Sequence, residues 1–255
     1  MILEYHRPKT IEETLQLLAR KEILTVPLAG GTVVNQPTST PMAVVDLQDL
    51  GLNRIDKRGK ELVLGATTPL QALADSPEIV PTLLNVIQHE ATYNLRQAAS
   101  IAGTLLASDG RSPLATALLA LDSQVMLLPG EGALSLGDLL PLRGEWLRGK
   151  LVTQVSIPLN ASLAYAAVGR TPADLPVVCV AVACWPSGRT RVALGGYGQA
   201  VLLAFDGPDA HGADVAARSA FAQAGDEWAS ADYRQDIAET LTRRCLDEQL
   251  GQKVA

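Results

Sequence analysis

Near the N-terminus an apolar run, Ile23 to Leu28, passes directly into Ala29-Gly30-Gly31-Thr32. A strand that meets two consecutive glycines can reverse within a residue or two, because neither position carries a Cβ. The same lack of side chains lets successive backbone N–H groups point at one spot. Such a nest binds an anion, typically a phosphate. More often a pair of glycines after a strand is only a turn. The spacing fits neither the dinucleotide-binding fingerprint nor the Walker loop, both of which need more widely separated glycines.

The segments around this loop alternate between helix and strand signals. Thr10-Ile11-Glu12-Glu13 has the form of a capping box, followed by Leu15, Leu17 and Leu18 at spacing compatible with a helix. Ala43 to Leu47 and Glu61 to Gly65 are short apolar runs, and Thr68-Pro69-Leu70-Gln71 is a second capping box with Pro at the first helical position. Glu78 to Ala99 reads as mostly helical. Ser112-Pro113 opens a helix through Leu121, Gln124 to Leu128 is a strand, Gly130 to Gly132 a turn, and Leu151 to Ile157 a half-buried strand. After Pro158 come two strands, Val177 to Trp185 and Thr190 to Leu194, joined by the turn Pro186-Ser187-Gly188-Arg189, and then Ala-rich helices, about Ala213 to Ala224 and Ala231 to Leu250. Interleaved elements followed by strands and then helices predict an α+β chain with a boundary near Asn160.

Composition removes several classes of function. The chain has 255 residues and a net charge of −6 without a basic block, so nucleic acid is not an expected partner. Glu4, Arg7, Pro8 and Lys9 interrupt any apolar leader, and no apolar run approaches the length of a membrane span; the expectation is a soluble cytoplasmic protein. Three cysteines without a Cys-x-x-Cys spacing cannot hold an iron–sulfur cluster within one chain. Cys179 and Cys184 read as small apolar residues of a buried strand, and His6, His89 and His211 form no metal-ligand pattern. No metal site is expected.

Read in order, Leu28-Ala29-Gly30-Gly31-Thr32, Val44-Val45-Asp46-Leu47, Leu64-Gly65-Ala66-Thr67-Thr68, Leu95-Arg96, Ser100-Ile101-Ala102-Gly103-Thr104, Ala117 to Asp122, Leu151 to Pro158, Gly169-Arg170, Val192 to Gly196 and Asp232-Tyr233-Arg234 form a series. This series resembles the FAD-binding (medium) subunit of the molybdenum hydroxylases, the xanthine dehydrogenase and carbon monoxide dehydrogenase group. The resemblance implies a two-lobed FAD-binding domain of the vanillyl-alcohol oxidase type over residues 1–160, with lobes of about 1–55 and 56–160. A smaller α+β domain would follow over 161–255. It implies FAD held by two loops: Leu28, Ala29, Gly30, Gly31, Thr32, Val33, Val34 and Asn35, then Ser100, Ile101, Ala102, Gly103 and Thr104. Val152 matches an apolar family position near the flavin ring. The implied partners are an iron–sulfur subunit, which donates electrons, and a molybdopterin subunit, where substrate is oxidised; an external acceptor takes the electrons. The protein would supply position and electrostatics, so no side chain is expected to act as catalytic acid, base or nucleophile.

The departures from the family pattern concern the cofactor. Ala102 stands where the family has glycine and adds a methyl to the phosphate approach, while Thr104 replaces an Asn whose amide could donate. The family's nucleotide-binding Asp falls on Pro113, with Asp109 able to substitute after a small gap, and Ala166 stands where a Lys is common. Two readings follow: a redox subunit holding FAD by a variant contact set, or an FAD-poor or FAD-free paralogue with a structural or assembly role in such a complex. The dispersed tryptophans Trp146, Trp185 and Trp228 are expected to pack the core or its edges, and Arg243-Arg244 to lie on a solvated helix face.

Overall fold

A computed structural model describes residues 1–255 except Glu131, Glu145, Trp146, Pro172, Ala173 and Ala255, together with the side chains of residues 250 and 252–254. Trp146 and the centre of the Gly130 to Gly132 turn therefore lie outside the described residues. The strands, in chain order, are β1 (Ile2–His6), β2 (Leu24–Leu28), β3 (Met42–Asp46), β4 (Ile55–Arg58), β5 (Glu61–Gly65), β6 (Gln124–Leu128), β7 (Ala133–Ser135), β8 (Leu151–Pro158), β9 (Ser162–Val168), β10 (Val178–Cys184), β11 (Thr190–Gly195) and β12 (Leu202–Gly207). The helices are α1 (Ile11–Leu18), α2 (Leu70–Ala74), α3 (Pro81–Glu90), α4 (Tyr93–Ala98), α5 (Ile101–Ala107), α6 (Pro113–Ala120), α7 (Leu136–Leu142), α8 (Ala213–Ala220) and α9 (Ala231–Val254). The chain is a mixed α/β protein. It forms two compact units: residues 1–78, 92–107 and 124–156 make one, and residues 79–91, 108–123 and 157–255 make the other.

The first unit contains a parallel three-stranded sheet, β1-β3-β2, and a five-stranded sheet, β4-β5-β8-β6-β7. Helix α1 carries Leu18 onto Val45 and Leu47 beyond β3 and Leu151 of β8, with Ile11 and Leu15 packed beside them. Its N-terminus is capped as the sequence predicts on one side only. Thr10 Oγ1 accepts from the Glu13 amide at 3.2 Å, but the Glu13 carboxylate accepts from the amide of Lys9 rather than of Thr10. The second predicted capping box does not form. Helix α2 begins one residue later than expected, after Pro69, and the buried Thr68 turns its hydroxyl to the Arg54 carbonyl instead. The predicted helix over 78–99 breaks at Ala91 and Thr92, which adopt extended backbone and separate α3 from α4. Strand β1, absent from the sequence reading, has a largely exposed and polar pattern; its pairing with β3 fixes it.

The second unit is built on the antiparallel sheet β12-β11-β10-β9. The β10–β11 hairpin and its Pro186 to Arg189 turn agree with the sequence. Every residue of β10 is buried, because both faces are covered. Val178, Val180, Val182 and Cys184 join a core with α8 and α9, while Cys179 turns the other way and meets the Thr116 hydroxyl of α6 at 3.4 Å. Helix α6 is buried all round, as its Ala/Leu sequence requires. Ser112 caps it, accepting from the Ala115 amide, with Pro113 in the first turn. The buried cysteines behave as apolar residues, and burial pushes the Cys179 thiol up to about 11. Strand β9 was missed because Ser-Leu-Ala-Tyr-Ala-Ala-Val has helix-compatible composition; its full register with β10 overrides that propensity. Helix α8 stops at Ala220, short of the expected Ala224. Arg243 is engaged in pairs with Asp214 and Glu239.

Arg234, the last residue of the Asp232-Tyr233-Arg234 series, is fully buried at the start of α9. Its Nε donates to the Val177 carbonyl, Nη1 to the Ala224 and Ala229 carbonyls, and Nη2 to both Asp226 oxygens at 2.8 and 2.9 Å. One guanidinium thus ties α9 to the entry of β10 and to the turn after α8. Arg234→Met leaves those acceptors unpaired in the core, and the expected loss is about 3 kcal/mol in urea unfolding. A loss below about 1 kcal/mol would show the clamp to be dispensable.

Candidate functional site

A cavity of about 700 Å³ opens within the first unit. Its volume is in the range of small-molecule and cofactor sites. Three pieces of chain wall it. The first is β2 with the loop leaving it, from Leu24 to Val34; the second is one face of α5, with Ser100 before it; the third is the approach to β8, from Leu147 through Val152. The lining is mostly apolar, with a few polar groups placed among it.

The two glycines of the first loop have different physical reasons. A Cβ on Gly30 would stand 1.6 Å from the carbonyl oxygen of Ala98, at the end of α4. Only glycine lets these two backbones touch. Gly31 instead needs its conformation: its φ is +71°, in the left-handed region. From there the chain makes a compact turn in which Asn35 N donates to Gly31 O and Gln36 N to Val33 O. Among the described residues, the N–H groups of Gly31, Thr32, Val33 and Val34 meet no acceptor within the chain. Four consecutive amides without an internal acceptor, on residues that line a cavity, are the kind of group that can form an anion nest.

The second loop differs. Ile101 N donates to Thr68 O at 2.9 Å, Ala102 N to Ala66 O at 3.2 Å, Gly103 N to Ser100 Oγ at 3.2 Å and Thr104 N to Ser100 O at 2.9 Å. These four amides are engaged inside the chain. What it presents to the cavity is surface: Ser100, Ala102 and Gly103, continued by Leu106 and Ala107 one turn on. Ile101 is fully buried and faces away, as helical spacing requires. Thr104 lies outside the lining.

Of the residues the sequence singled out, the cavity gathers Ala29, Gly30, Gly31, Thr32, Val33, Val34, Ser100, Ala102, Gly103 and Val152. Leu28 ends β2 just before the loop, and the Asn35 side chain stands near Gly31. Asp109 belongs to the second unit, where its carboxylate accepts from the Arg111 amide at 2.8 Å. Pro113 begins α6, and Arg170 stacks over the Trp228 ring at 5.2 Å. Sequence reasoning missed Arg148 and Lys150 on the third wall. Two cations bracketing Gly149 immediately before a strand were the available signal.

Residues 1–160 match the family model of the FAD binding domain in molybdopterin dehydrogenase. The chain belongs to this family. It is 32% identical over 210 residues to YgfM, an uncharacterised protein of Escherichia coli K12, across 81% of this chain and 79% of that one. It is 26% identical over 275 residues to the carbon monoxide dehydrogenase medium chain of Afipia carboxidovorans, across 96% of this chain and 95% of the other. Among solved structures, reconstituted CO dehydrogenase from Oligotropha carboxidovorans matches with a TM-score of 0.81 at 26% identity over 96% of each chain. Quinoline 2-oxidoreductase from Pseudomonas putida 86 shares the fold, with a TM-score of 0.79 at 21% identity over 96% of each. The protein is thus of the medium, FAD-subunit type of the molybdenum hydroxylase dehydrogenases, and FAD is the cofactor this membership assigns. No helix among the described residues is long and apolar enough to cross a membrane.

The nest and the cavity fit that cofactor: free amides suit a pyrophosphate, and apolar walls suit an aromatic ring system. The glycines can be separated experimentally. Gly30→Ala drives a methyl into the Ala98 backbone, and its expected cost is above about 3 kcal/mol by chemical unfolding. Gly31→Ala meets only side-chain atoms, of Asn35 and Leu28, and costs about 1–2 kcal/mol for the left-handed backbone. Equal losses for the two would refute the backbone-contact explanation of Gly30.

Proposed function

We propose that this chain is the redox subunit of a molybdopterin-dependent oxidoreductase, standing between an iron–sulfur subunit and an external electron acceptor. When bound, FAD supplies the one- and two-electron chemistry that such a position requires. The observation that carries the reading is the run of free amides from Gly31 to Val34, lining a cavity in a chain whose first 160 residues match the FAD-binding family. Those amides receive the pyrophosphate. Ser100, Ala102 and Gly103 form the opposing wall, and Val152 contributes apolar surface for the ring. The part of the chain up to residue 160 would be the FAD-binding domain, in two lobes of about 1–55 and 56–160, and 161–255 a separate C-terminal domain. The end of the family match at residue 160 supports that division.

The protein's own residues bind, orient and partly desolvate the cofactor. No acid, base or nucleophile of the chain is required, since electron transfer at a flavin depends on position and local potential. Cytoplasmic placement goes with the proposal, because iron–sulfur and molybdopterin partners would assemble there with it. Carbon monoxide dehydrogenase and nicotine 6-hydroxylase each have a medium subunit related to this chain, which supports a multi-subunit setting.

A second reading draws on the engaged amides of Ile101 to Thr104. In it the chain keeps the fold and partner surfaces but holds FAD weakly, as a structural subunit. Titrating the purified apo-chain with FAD, and co-expressing it with iron–sulfur and molybdopterin subunits, separates the two. The redox reading expects binding tighter than about 1 μM, or roughly 8 kcal/mol, and a yellow three-subunit assembly. An assembly that forms without FAD would establish the structural role instead. A chain that neither binds FAD nor assembles would overturn both.

A further inference from the structure

The charge of the cavity is opposite to that of the chain. The protein carries a net charge of −6, yet among the described residues the cavity's only ionisable lining groups are Arg148 and Lys150, and no Asp or Glu lines it. Such a wall favours an anionic occupant. Arg148 stands out further because no hydrogen bond or ion pair to a described residue holds its guanidinium. Several other arginines are committed to carboxylates: Arg20 to Glu4, Arg189 and Arg191 to Asp122 and Asp206, Arg218 to Asp236 and Glu239, and Arg234 to Asp226.

The amide inventory gives this free cation a task. A pyrophosphate on the first loop meets the partial positive charges of four N–H groups, whereas the amides of Ile101 to Thr104 on the second loop are already engaged. Neutral donors on one side leave much of a doubly charged group uncompensated. A guanidinium has five donors in a planar fork and matches two phosphate oxygens at once. Gly149, in the left-handed region at φ +75°, lets the chain turn between Arg148 and the strand that follows.

We propose that Arg148 is a phosphate ligand of this cavity, gripping the pyrophosphate of the bound dinucleotide from the third wall. The inference rests on the reading of the cavity as the FAD site. It assigns the cationic contact to the segment before β8, a part of the chain to which the family's two-loop pattern gives no such role.

The test uses the full-length apo-chain, titrated with FAD and separately with riboflavin, which has the same ring but no phosphate. Flavin fluorescence reports both. Arg148→Gln is expected to weaken FAD binding about tenfold at low salt and less as salt screens the contact, with riboflavin affinity unchanged. Arg58→Gln is the control: it removes the same unit charge from an exposed site in the same unit, and FAD affinity should not move. Arg148 is exposed and makes no bond to a described residue, so the variant should melt as the parent does. A salt series on the unaltered chain gives a second readout: FAD affinity should fall with ionic strength while riboflavin affinity holds. Wild-type FAD affinity in Arg148→Gln would overturn the inference and leave the FAD site standing. Equal weakening of FAD and riboflavin, or equal weakening by Arg58→Gln, would overturn it as a phosphate contact. Failure of the unaltered chain to bind FAD would overturn the inference and the site together.

Discussion

The candidate site depends on one place where two stretches of backbone touch. Gly30, on the loop leaving β2, lies so close to the Ala98 carbonyl that no Cβ can fit between them. Ala98 ends α4, and two residues later Ser100 leads into α5. The contact therefore fixes the first wall of the cavity against the segment that leads into the second. With Gly30 held, Gly31 can turn into the left-handed region and project the next amides together. The first glycine serves packing and the second serves conformation; a motif that reads as one unit in sequence has two separable physical causes.

From this follows an asymmetry between the loops. Amides that bond within the chain shape the cavity: those of Ile101 and Ala102 hold α5 onto the Ala66 to Thr68 segment, and those of Gly103 and Thr104 bond back to Ser100. Amides that meet no internal acceptor, as from Gly31 to Val34, remain available to a ligand. Solvent-facing free N–H groups cost little while water occupies the cavity, so such a nest can persist without strain. Architecture and recognition are thus divided between two loops of similar composition.

Much of the second unit was legible in sequence because its rules are local. The all-buried run of β10, the turn at Pro186 to Arg189 and the cap at Ser112 each follow from residues within a few positions of one another. Failures came where distant pairing decided the outcome. Strand β9 has the composition of a helix, β1 has almost no apolar periodicity, and Thr68 gave up its cap for a carbonyl fourteen positions away. In the site, the glycine loop was legible because two consecutive glycines directly after an apolar run are a conspicuous local signal. Arg148 and Lys150 were not, since a cation in a loop reads as solvated surface until a cavity is seen beside it.

The amide inventory also changes what the departures from the family pattern mean. Ala102 and Thr104 read, in sequence, as lost contacts to a phosphate. In the structure the amides of Ile101 to Thr104 are bonded within the chain, and Thr104 is not among the residues lining the cavity. Of the two substitutions, only the Ala102 methyl touches the site, where it adds apolar surface to a wall that is already apolar. The intact loop is the one whose backbone is free to bind. A count of altered motif residues therefore overstates the loss, because a motif position matters to a ligand only when its donor is unspent and faces the cavity. By that criterion the amides that suit an anion are those of Gly31 to Val34, on the loop whose sequence keeps the family pattern.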